Sequence, residues 1–188
     1  MSPSLDEELS PQFDERVTVE SAQKGDTDAL GILYEYYFPR VFRFVSVRVF
    51  QQEDAEDIVN DIFMRIVSNI SRFRWEGAPF GAWVFRIARN EVVNHIRRSS
   101  RQLAKEPLFD SIPDEKRDHV GDLEKEEALE YVRIASASLP TAQRDVIALR
   151  FGADLSVAET AKVLGKTENN IKVLQHKAIV RLREIVEL

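Results

Sequence analysis

Apolar residues recur at steps of three and four along most of the chain, a spacing that places them on one side of an α-helix. The most regular example spans residues 53–70, and similar spacing covers 28–50 and the stretch from Phe80 onward. Within 28–50, Pro39 either kinks one helix or begins a second. The apolar stripe in 53–70 comprises Ala55, Ile58, Val59, Ile62, Phe63, Ile66, Val67 and Ile70. The predicted fold class is all-α.

The C-terminal part of the chain carries start and stop signals for short helices. Helices are predicted at 141–151, 157–164 and 168 to about 186. Gly152 ends the first, and Ser156 with Glu159 forms a capping-box pattern before the next. Gly165 ends that helix, and Thr167 caps the last one. A capped helix, a glycine turn and a longer basic helix together predict a helix-turn-helix.

Helical periodicity is missing from two acidic stretches. Residues 1–16 contain prolines and serines and are expected to form a mobile tail. Residues 102–127 contain two prolines and a dense acidic run, which predicts a linker kept extended by self-repulsion. The chain is therefore predicted to form two small helical domains, 17–101 and 128–188, joined by that acidic flexible linker.

The charged residues are unevenly distributed along the chain, and their distribution bears on the choice of partner more than the net charge does. The 188 residues carry a net charge of −6, which taken alone argues against a nucleic-acid partner. Residues 72–101 and 162–183, however, each hold a surplus of five positive charges, whereas 102–131 holds ten acids and four bases. Two basic blocks separated by an acidic connector indicate two anion-binding modules on one chain.

The first basic block mixes arginine with aromatic residues. Arg86, Asn90, Asn94 and Arg97 lie at steps of four, four and three, so they share one helix face. Arginine neutralises phosphate, amides bond base edges and aromatic rings stack on unpaired bases. The alternative is an amphipathic helix with a solvated basic face. Of the two tryptophans in the block, Trp83 is expected in the core and Trp75 at the surface.

The second basic block is the predicted helix-turn-helix. The start of its last helix would enter the major groove with Asn169, Lys172, Val173 and His176 facing outward. Lysine and asparagine can read base edges, and valine can contact a thymine methyl group. The alternative, a helical hairpin that binds protein, explains the basic surplus less well.

An acidic stripe runs beside the apolar stripe of 53–70. Asp54, Asp57 and Asp61 recur on one side of that helix. The early carboxylates also suit the positive end of a helix dipole, so dipole compensation and solubility are an alternative to a partner-binding role.

Several function classes have little support. The chain has no cysteine, and its three histidines, His95, His119 and His176, are scattered. No phosphate-binding glycine loop and no acid/base pair stands out, so no enzyme activity, metal or cofactor is expected. No apolar run reaches the roughly 18 residues of a membrane span. With no signal sequence recognised, the protein is expected in the cytoplasm.

Four segments of the chain read, in order, KGDTDALGILYEYYFPRVFRF, DAEDIVNDIFMRI, PFGAWVFRIARNEVVNHIRR and SLPTAQRDVIALRFGADLSVAETAKVLGKTENNIKVLQHKAIVRLRE. Together and in this order they resemble a bacterial extracytoplasmic-function (ECF) sigma factor. The resemblance runs from about Val17 to Leu188 and implies that the first three segments are sigma region two and the last is region four. It implies core RNA polymerase, promoter DNA as duplex and single strand, and an anti-sigma factor as partners.

The resemblance also implies roles for individual residues. Those implied for the unpaired minus-ten element are Arg74, Trp75, Arg86, Arg89, Asn90, Asn94, Arg97 and Arg98. Those implied for the minus-thirty-five duplex are Lys166, Thr167, Asn169, Asn170, Lys172, Val173, His176 and Lys177. Those implied for core polymerase are Asp54, Asp57, Asn60 and Asp61. The acidic linker would follow the path toward the RNA exit, where an acidic chain can mimic nucleic acid.

A second function class remains open at this point. An ordinary helix-turn-helix regulator, acting without being a polymerase subunit, would explain the C-terminal helices. It would leave the arginine and aromatic block of 72–101 without a role. It also predicts that the protein alone binds a two-fold repeated duplex site.

Overall fold

The computed structural model describes residues 13–49, 51–103 and 135–186. Within these ranges the regular elements are helical and none is a strand, which confirms the all-α prediction. The expected acidic tail, as far as residue 12, and the expected linker, from residue 104 on, lie outside the described residues. None of the described helices combines the length and apolar composition that a membrane span requires.

The first helix, α1 (Glu15–Gln23), begins inside the segment that the sequence predicts as tail. Asp14 caps it, because its carboxylate accepts hydrogen bonds from the backbone N–H groups of Arg16 and Val17. Phe13 stacks on Tyr36 with ring centroids 4.0 Å apart. The assignment of residues 13–16 to a mobile tail is therefore wrong, because acidic composition conceals both a helix cap and an aromatic contact.

Three longer helices complete an N-terminal bundle, the name used here for residues 13–103. They are α2 (Thr27–Ser46), α3 (Gln52–Asn69) and α4 (Phe80–Leu103). Pro39 lies inside α2, which continues as one helix to Ser46. A 3₁₀ turn at Ile70–Arg72 follows α3 and leads into the loop before α4.

Aromatic side chains fill the centre of the bundle. Tyr37 and Phe44 on α2 and Phe80 and Phe85 on α4 are almost completely buried. The Tyr37 hydroxyl donates a hydrogen bond to Glu15 Oε1, which ties α1 to this centre. Desolvation by burial, together with the negative charge of Glu15, raises the pKa of Tyr37, so the phenol remains neutral and can donate.

The C-terminal unit, residues 135–186, contains α5 (Thr141–Ile147), α6 (Val157–Leu164) and α7 (Glu168–Val186). The helix predicted over 141–151 changes character midway, because α5 passes into a π-helical turn at Ala148–Gly152. Both halves of the predicted capping box form: Ser156 Oγ accepts from Glu159 N, and the Glu159 carboxylate accepts from Ser156 N. Gly165 ends α6 with φ of 62°, the left-handed conformation that glycine favours.

The two parts of the molecule share one apolar core. The C-terminal unit has two small clusters of its own, one centred on Leu139, Ile147 and Ala178 and one on Val146, Ala161 and Ile171. Its other buried apolar side chains join the cluster of the N-terminal bundle, and they are Ala148, Leu149, Ala153, Leu155 and Val163. The unit therefore lies packed against α2 and α4.

Candidate nucleic-acid and polymerase interfaces

The outer face of α4 carries the predicted polar and basic side chains. Arg86, Asn90, Asn94 and Arg97 are all exposed, as their helical spacing predicts, and Arg98 is exposed beside them. On the opposite side Val84, Phe85, Ala88 and Val92 are fully buried. The helix therefore presents a continuous basic and amide surface whose orientation is set by its own apolar face.

Arg89 differs from its neighbours on α4. Its side chain is 34% exposed, and its Nε donates to Asp145 Oδ2 of the C-terminal unit at 3.1 Å. Arg86, although exposed, also donates from Nη2 to the carbonyl oxygen of Lys162 at 3.2 Å. Two of the arginines implied for the minus-ten element thus contact the C-terminal unit.

The loop between α3 and α4 holds the two other residues implied for the minus-ten element. Arg74 is exposed, and its Nη1 donates to the carbonyl oxygens of Ser71 and Phe73, both at 2.8 Å. Trp75 is half-buried rather than exposed, with its ring edge-on to Phe73 at 5.0 Å between centroids. The guanidinium of Arg16 lies 5.8 Å from the Trp75 ring centroid.

The start of this loop is held against α1 by two hydrogen bonds. Gln23 Nε2 donates to the carbonyl oxygens of Ile70 and Phe73, each at 2.9 Å. Trp83 packs within the same aromatic group, 5.3 Å from Phe80 and 5.5 Å from Phe73 between centroids. Its half-buried position agrees with the expectation of core packing, and the rings around it hold the base of the loop.

The second candidate surface is the exposed side of α7 and the turn before it. Asn169, Lys172, Val173 and His176 face outward, while Ile171 and Ala178 are fully buried on the other side. The other predicted residues of this surface are also exposed, and they are Lys166, Thr167, Asn170 and Lys177. Thr167 Oγ1 accepts from Asn170 N at 3.2 Å, so this hydroxyl caps α7, as predicted.

The third candidate surface lies on α3. Asp57, Asn60 and Asp61 are exposed, and Asp54 is half-exposed with Oδ2 3.5 Å from His95 Nε2. Met64 and Val67, at the next steps along α3, are 67% and 49% exposed. Val67 is exposed although it belongs to the predicted apolar stripe, because it falls at the edge of that stripe. An exposed mixture of carboxylate and large apolar side chains is typical of a protein-binding surface.

The contact between the two parts contains residues that sequence reasoning missed. Arg48 of the N-terminal bundle pairs with Asp145 on α5, and the two side chains are only 2% and 3% exposed. Burial lowers the pKa of Arg48 to about 10, so it is still charged at neutral pH. The signal available in the sequence was an arginine within the apolar run VSVRVF, since a charge in such a run needs a buried partner.

Comparison with known proteins identifies the two parts. Residues 33–102 match the family model Sigma-70 region 2, and residues 137–184 match Sigma-70, region 4. The ECF RNA polymerase sigma factor RpoE of Cereibacter sphaeroides is 31% identical over 162 residues, which cover 85% of this chain and 87% of that protein. The chain belongs to the ECF RNA polymerase sigma factor family.

A further relative agrees with this assignment. The ECF RNA polymerase sigma factor BldN of Streptomyces coelicolor is 37% identical over 172 residues, which cover 89% of this sigma factor. The matched part spans 64% of BldN, so the chain is shorter than that relative. The recognition made from the four segments is confirmed.

Solved structures confirm the fold of this sigma factor. CnrH, in a complex with the cytosolic domain of CnrY, has a TM-score of 0.70 at 22% identity, covering 92% of this chain and 97% of CnrH. RpoE of Bartonella quintana, in a complex with the anti-sigma factor NepR, has a TM-score of 0.68 at 23% identity, covering 84% of this chain and 96% of that one.

Proposed function

We propose that this chain binds core RNA polymerase and directs it to promoters, recognising a minus-thirty-five element as duplex and holding a minus-ten element unpaired. The observation that carries the proposal is the presence of two exposed basic surfaces of unlike chemistry, one on α4 and one on α7, in a chain with both sigma regions. Such a protein works in the cytoplasm. A helix-turn-helix regulator outside polymerase has no use for the α4 surface, so that alternative is set aside.

In the minus-ten role, the arginines of α4 neutralise phosphates while the amides bond base edges. Arg97 and Arg98 are suited to the backbone, and Asn90 and Asn94 to an exposed base. A base turned out of the stack would enter beside Asn90 and the loop that carries Trp75. Melting the duplex costs stacking energy, and capture of unpaired bases at such a surface offsets that cost.

In the minus-thirty-five role, the first turns of α7 enter the major groove. Lys172 and Asn169 reach base edges, and Val173 contacts a thymine methyl group. Lys166 and Lys177, at the sides of this surface, contact phosphates and fix its register. All these side chains are exposed, on one side of α7 or in the turn before it, while the other side of α7 is buried, and this supports the orientation.

The α3 surface is the proposed site for core polymerase. Asp57, Asn60 and Asp61 supply charge and hydrogen bonds, and the neighbouring exposed Met64 and Val67 supply apolar area. This combination gives both orientation and affinity in protein interfaces. The half-exposed Asp54 extends the surface toward α4.

An anti-sigma factor is the proposed regulator, and it would cover the same α3 surface. RpoE of Bartonella quintana, which has the fold of this chain, forms a complex with the anti-sigma factor NepR. Affinity purification from the native host should recover a small inhibitor together with polymerase subunits. Recovery of polymerase subunits without any inhibitor, under inducing and non-inducing conditions alike, would refute this part of the proposal.

The proposed function is tested by run-off transcription with purified core polymerase on a promoter library. The chain should select promoters with a common pair of elements, and core polymerase alone should select none.

Asp57→Arg should weaken core polymerase binding by about tenfold or more, which corresponds to about 1.4 kcal/mol or more, because it reverses a charge on the α3 surface. Glu35→Arg, the same reversal at an exposed position on α2, is the control. Equal affinities of the two variants would remove α3 from the interface.

A further inference from the structure

An open cleft lies between the first turn of α1 and the loop that precedes α4. Its volume is about 480 Å³, within the range of about 300–1,000 Å³ that small-ligand sites occupy. The residues that line it come from both segments, and they are Phe13, Asp14, Glu15, Arg16 and Trp75. The match to Sigma-70 region 2 begins at residue 33, so α1 lies outside it. No role for α1 follows from that match.

Trp75 supplies an aromatic ring to this cleft. The ring is half-buried and lies edge-on to Phe73. Its Nε1 is buried, and within the part of the chain that the structure describes no group accepts a hydrogen bond from it. A buried donor without an acceptor costs free energy, so a small shift of the ring that gives Nε1 an acceptor on a ligand is favoured. Exposed aromatic rings also stack on unpaired bases. Trp75 therefore offers both a stacking surface and a donor.

Arg16 lies over the same ring from the α1 side. Its guanidinium carbon is 5.8 Å from the Trp75 ring centroid, and its side chain is 71% exposed, so it can move without disturbing the core. A base placed between the two groups needs about 7 Å, which is two contacts of about 3.5 Å. An opening of roughly 1 Å therefore admits a base. A guanidinium plane stacks on a base as an aromatic ring does.

The two carboxylates of the cleft determine which part of a nucleotide can enter. Asp14 and Glu15 repel phosphate, whereas a carboxylate accepts hydrogen bonds from the amino groups of bases. Asp14 caps α1 through Oδ1, which accepts from the backbone N–H groups of Arg16 and Val17, so Oδ2 can accept from a ligand. Cytosine and adenine present an amino group where thymine presents a carbonyl oxygen. The cleft therefore favours a base with an amino group over thymine.

Gln23 fixes the two sides of the cleft relative to each other. Its Nε2 donates to the carbonyl oxygens of Ile70 and Phe73, each at 2.9 Å. Phe73 stands two residues before Trp75, so the start of the loop is tied directly to α1. The separation of the two sides is therefore set by the fold, and the exposed Arg16 is the part of the cleft that can move to admit a ligand.

We propose that α1 forms one side of a site for an unpaired base of the minus-ten element, in which the base stacks on Trp75 and Arg16 closes over it. Asp14 selects a base with an amino group. Arg74, exposed on the same loop, is suited to the adjoining phosphate. The inference rests on the proposed function, because it assumes that the loop carrying Trp75 meets the melted strand.

The experiment measures the affinity of the holoenzyme for a pre-opened template made from a promoter that run-off transcription selects. Each minus-ten position of the unpaired strand is replaced in turn by an abasic site. The unaltered protein should lose about tenfold in affinity wherever a stacked base is removed. At one of these positions the loss should shrink to about twofold or less in Trp75→Ala, because the ring on which that base stacks is absent.

Variants of Arg16 test the other side of the cleft. Arg16→Met should shrink the loss at the same position as Trp75→Ala does, and its exposed site keeps the test informative if Trp75→Ala fails to fold. Arg16→Lys should resemble Arg16→Met, because an ammonium group keeps the charge but has no plane to stack on a base. Lys24→Met, at the exposed C-terminal end of α1, removes one positive charge outside the cleft and should match the unaltered protein.

Asp14→Asn tests the choice of base while keeping the helix cap, since asparagine caps helices as well as aspartate does. At the position identified with Trp75→Ala, the unaltered protein should bind cytosine or adenine about fivefold more tightly than thymine. Asp14→Asn should lose this preference, because its amide can donate to the thymine carbonyl. An unchanged preference would remove Asp14 from the site.

The remaining outcomes separate this inference from the proposed function. If every abasic loss is the same in Trp75→Ala, Arg16→Met and the unaltered protein while run-off transcription succeeds, the cleft binds no base and the proposed function stands. If Arg16→Lys matches the unaltered protein, Arg16 contacts phosphate and does not close over a base. If the variants weaken core polymerase binding and leave the abasic losses unchanged, the cleft binds protein. If the unaltered protein supports no transcription, the proposed function fails and the inference fails with it.

Discussion

The N-terminal bundle and the C-terminal unit bury their apolar side chains in different ways. The bundle surrounds a centre of aromatic rings supplied by α2 and α4, with Tyr37, Phe44, Phe80 and Phe85 almost wholly enclosed. The unit has two clusters of three small or aliphatic residues and places its remaining apolar side chains against the bundle. The bundle therefore supplies the aromatic centre of the shared core, whereas the unit adds aliphatic side chains to that core at the interface.

This difference indicates which of the two parts can move. The part that supplies the central aromatic rings keeps its helices in one geometry, which suits the α4 surface proposed for an unpaired strand. A part that completes its core on a neighbour can exchange that neighbour for another partner at limited cost. The helix-turn-helix keeps its own caps and turn during such an exchange, because those contacts are local to α6 and α7.

The largest expected effect is at the ion pair that joins the two parts. Arg48→Met leaves the buried Asp145 with one partner in place of two, and breaking a buried pair costs about 3–5 kcal/mol. Urea denaturation should show that loss in the free energy of unfolding. Arg16→Met, which removes an exposed pair with Glu20, should cost about 1 kcal/mol or less.

A double variant tests whether this loss comes from the uncompensated charge. Arg48→Met combined with Asp145→Leu removes both members of the pair and should recover much of the stability, because apolar packing replaces the ions. If Arg48→Met alone costs no more than Arg16→Met, the buried pair contributes nothing to the contact between the parts.

The next effect separates the two DNA surfaces. Lys172→Ala on α7 should weaken promoter binding by about 1–3 kcal/mol, the range for one good base contact, and leave transcription from a pre-opened template intact. Asn90→Ala on α4 should impair open-complex formation on duplex promoters more than it impairs core polymerase binding. Potassium permanganate footprinting of the melted region and filter binding on both templates provide the measurements. If Lys172→Ala has the same effect on both templates, the division of roles between α4 and α7 is wrong.

The smallest effect concerns how α1 is attached to the bundle. Tyr37→Phe removes the hydrogen bond to Glu15 and should lower the free energy of unfolding by about 1 kcal/mol, while leaving the aromatic packing in place. Tyr34→Phe, at an exposed position on the same helix, should have little effect and is the matched control. An equal loss in both variants would mean that the contact with Glu15 does not hold α1.

The same contact predicts a dependence on alkaline pH. The folded pKa of Tyr37 lies above its ordinary value of 10.0, so the unfolded chain loses the phenolic proton first as pH rises. The folded state then binds more protons than the unfolded state, and stability should fall above pH 10. Tyr37→Phe should show a shallower fall when unfolding is measured across that range. Parallel curves for the two proteins would contradict the assignment.

Much of the fold and of the candidate surfaces could be predicted from local patterns. The stripe on α3, the capping box at Ser156 and the left-handed Gly165 each depend on residues within one or two helical turns. The outward face of α7 follows from the same spacing, since residues on one side of a helix recur at fixed steps. Such features depend on nearby residues alone, so they can be predicted without knowing what packs on them.

The contacts that join the two parts could not be predicted in this way. Arg48, Arg89 and Asp145 are far apart along the chain, and no periodicity relates them. Val67 lies at the edge of the apolar stripe, so its exposure depends on how neighbouring helices pack on α3. The start of α1 could not be predicted because acidic composition is shared by mobile tails and helix caps. Local sequence determined which helices form and which side of each is apolar. Only tertiary packing decided which charged side chains face each other, because the free energy of a buried pair depends on the partner that folding brings to it.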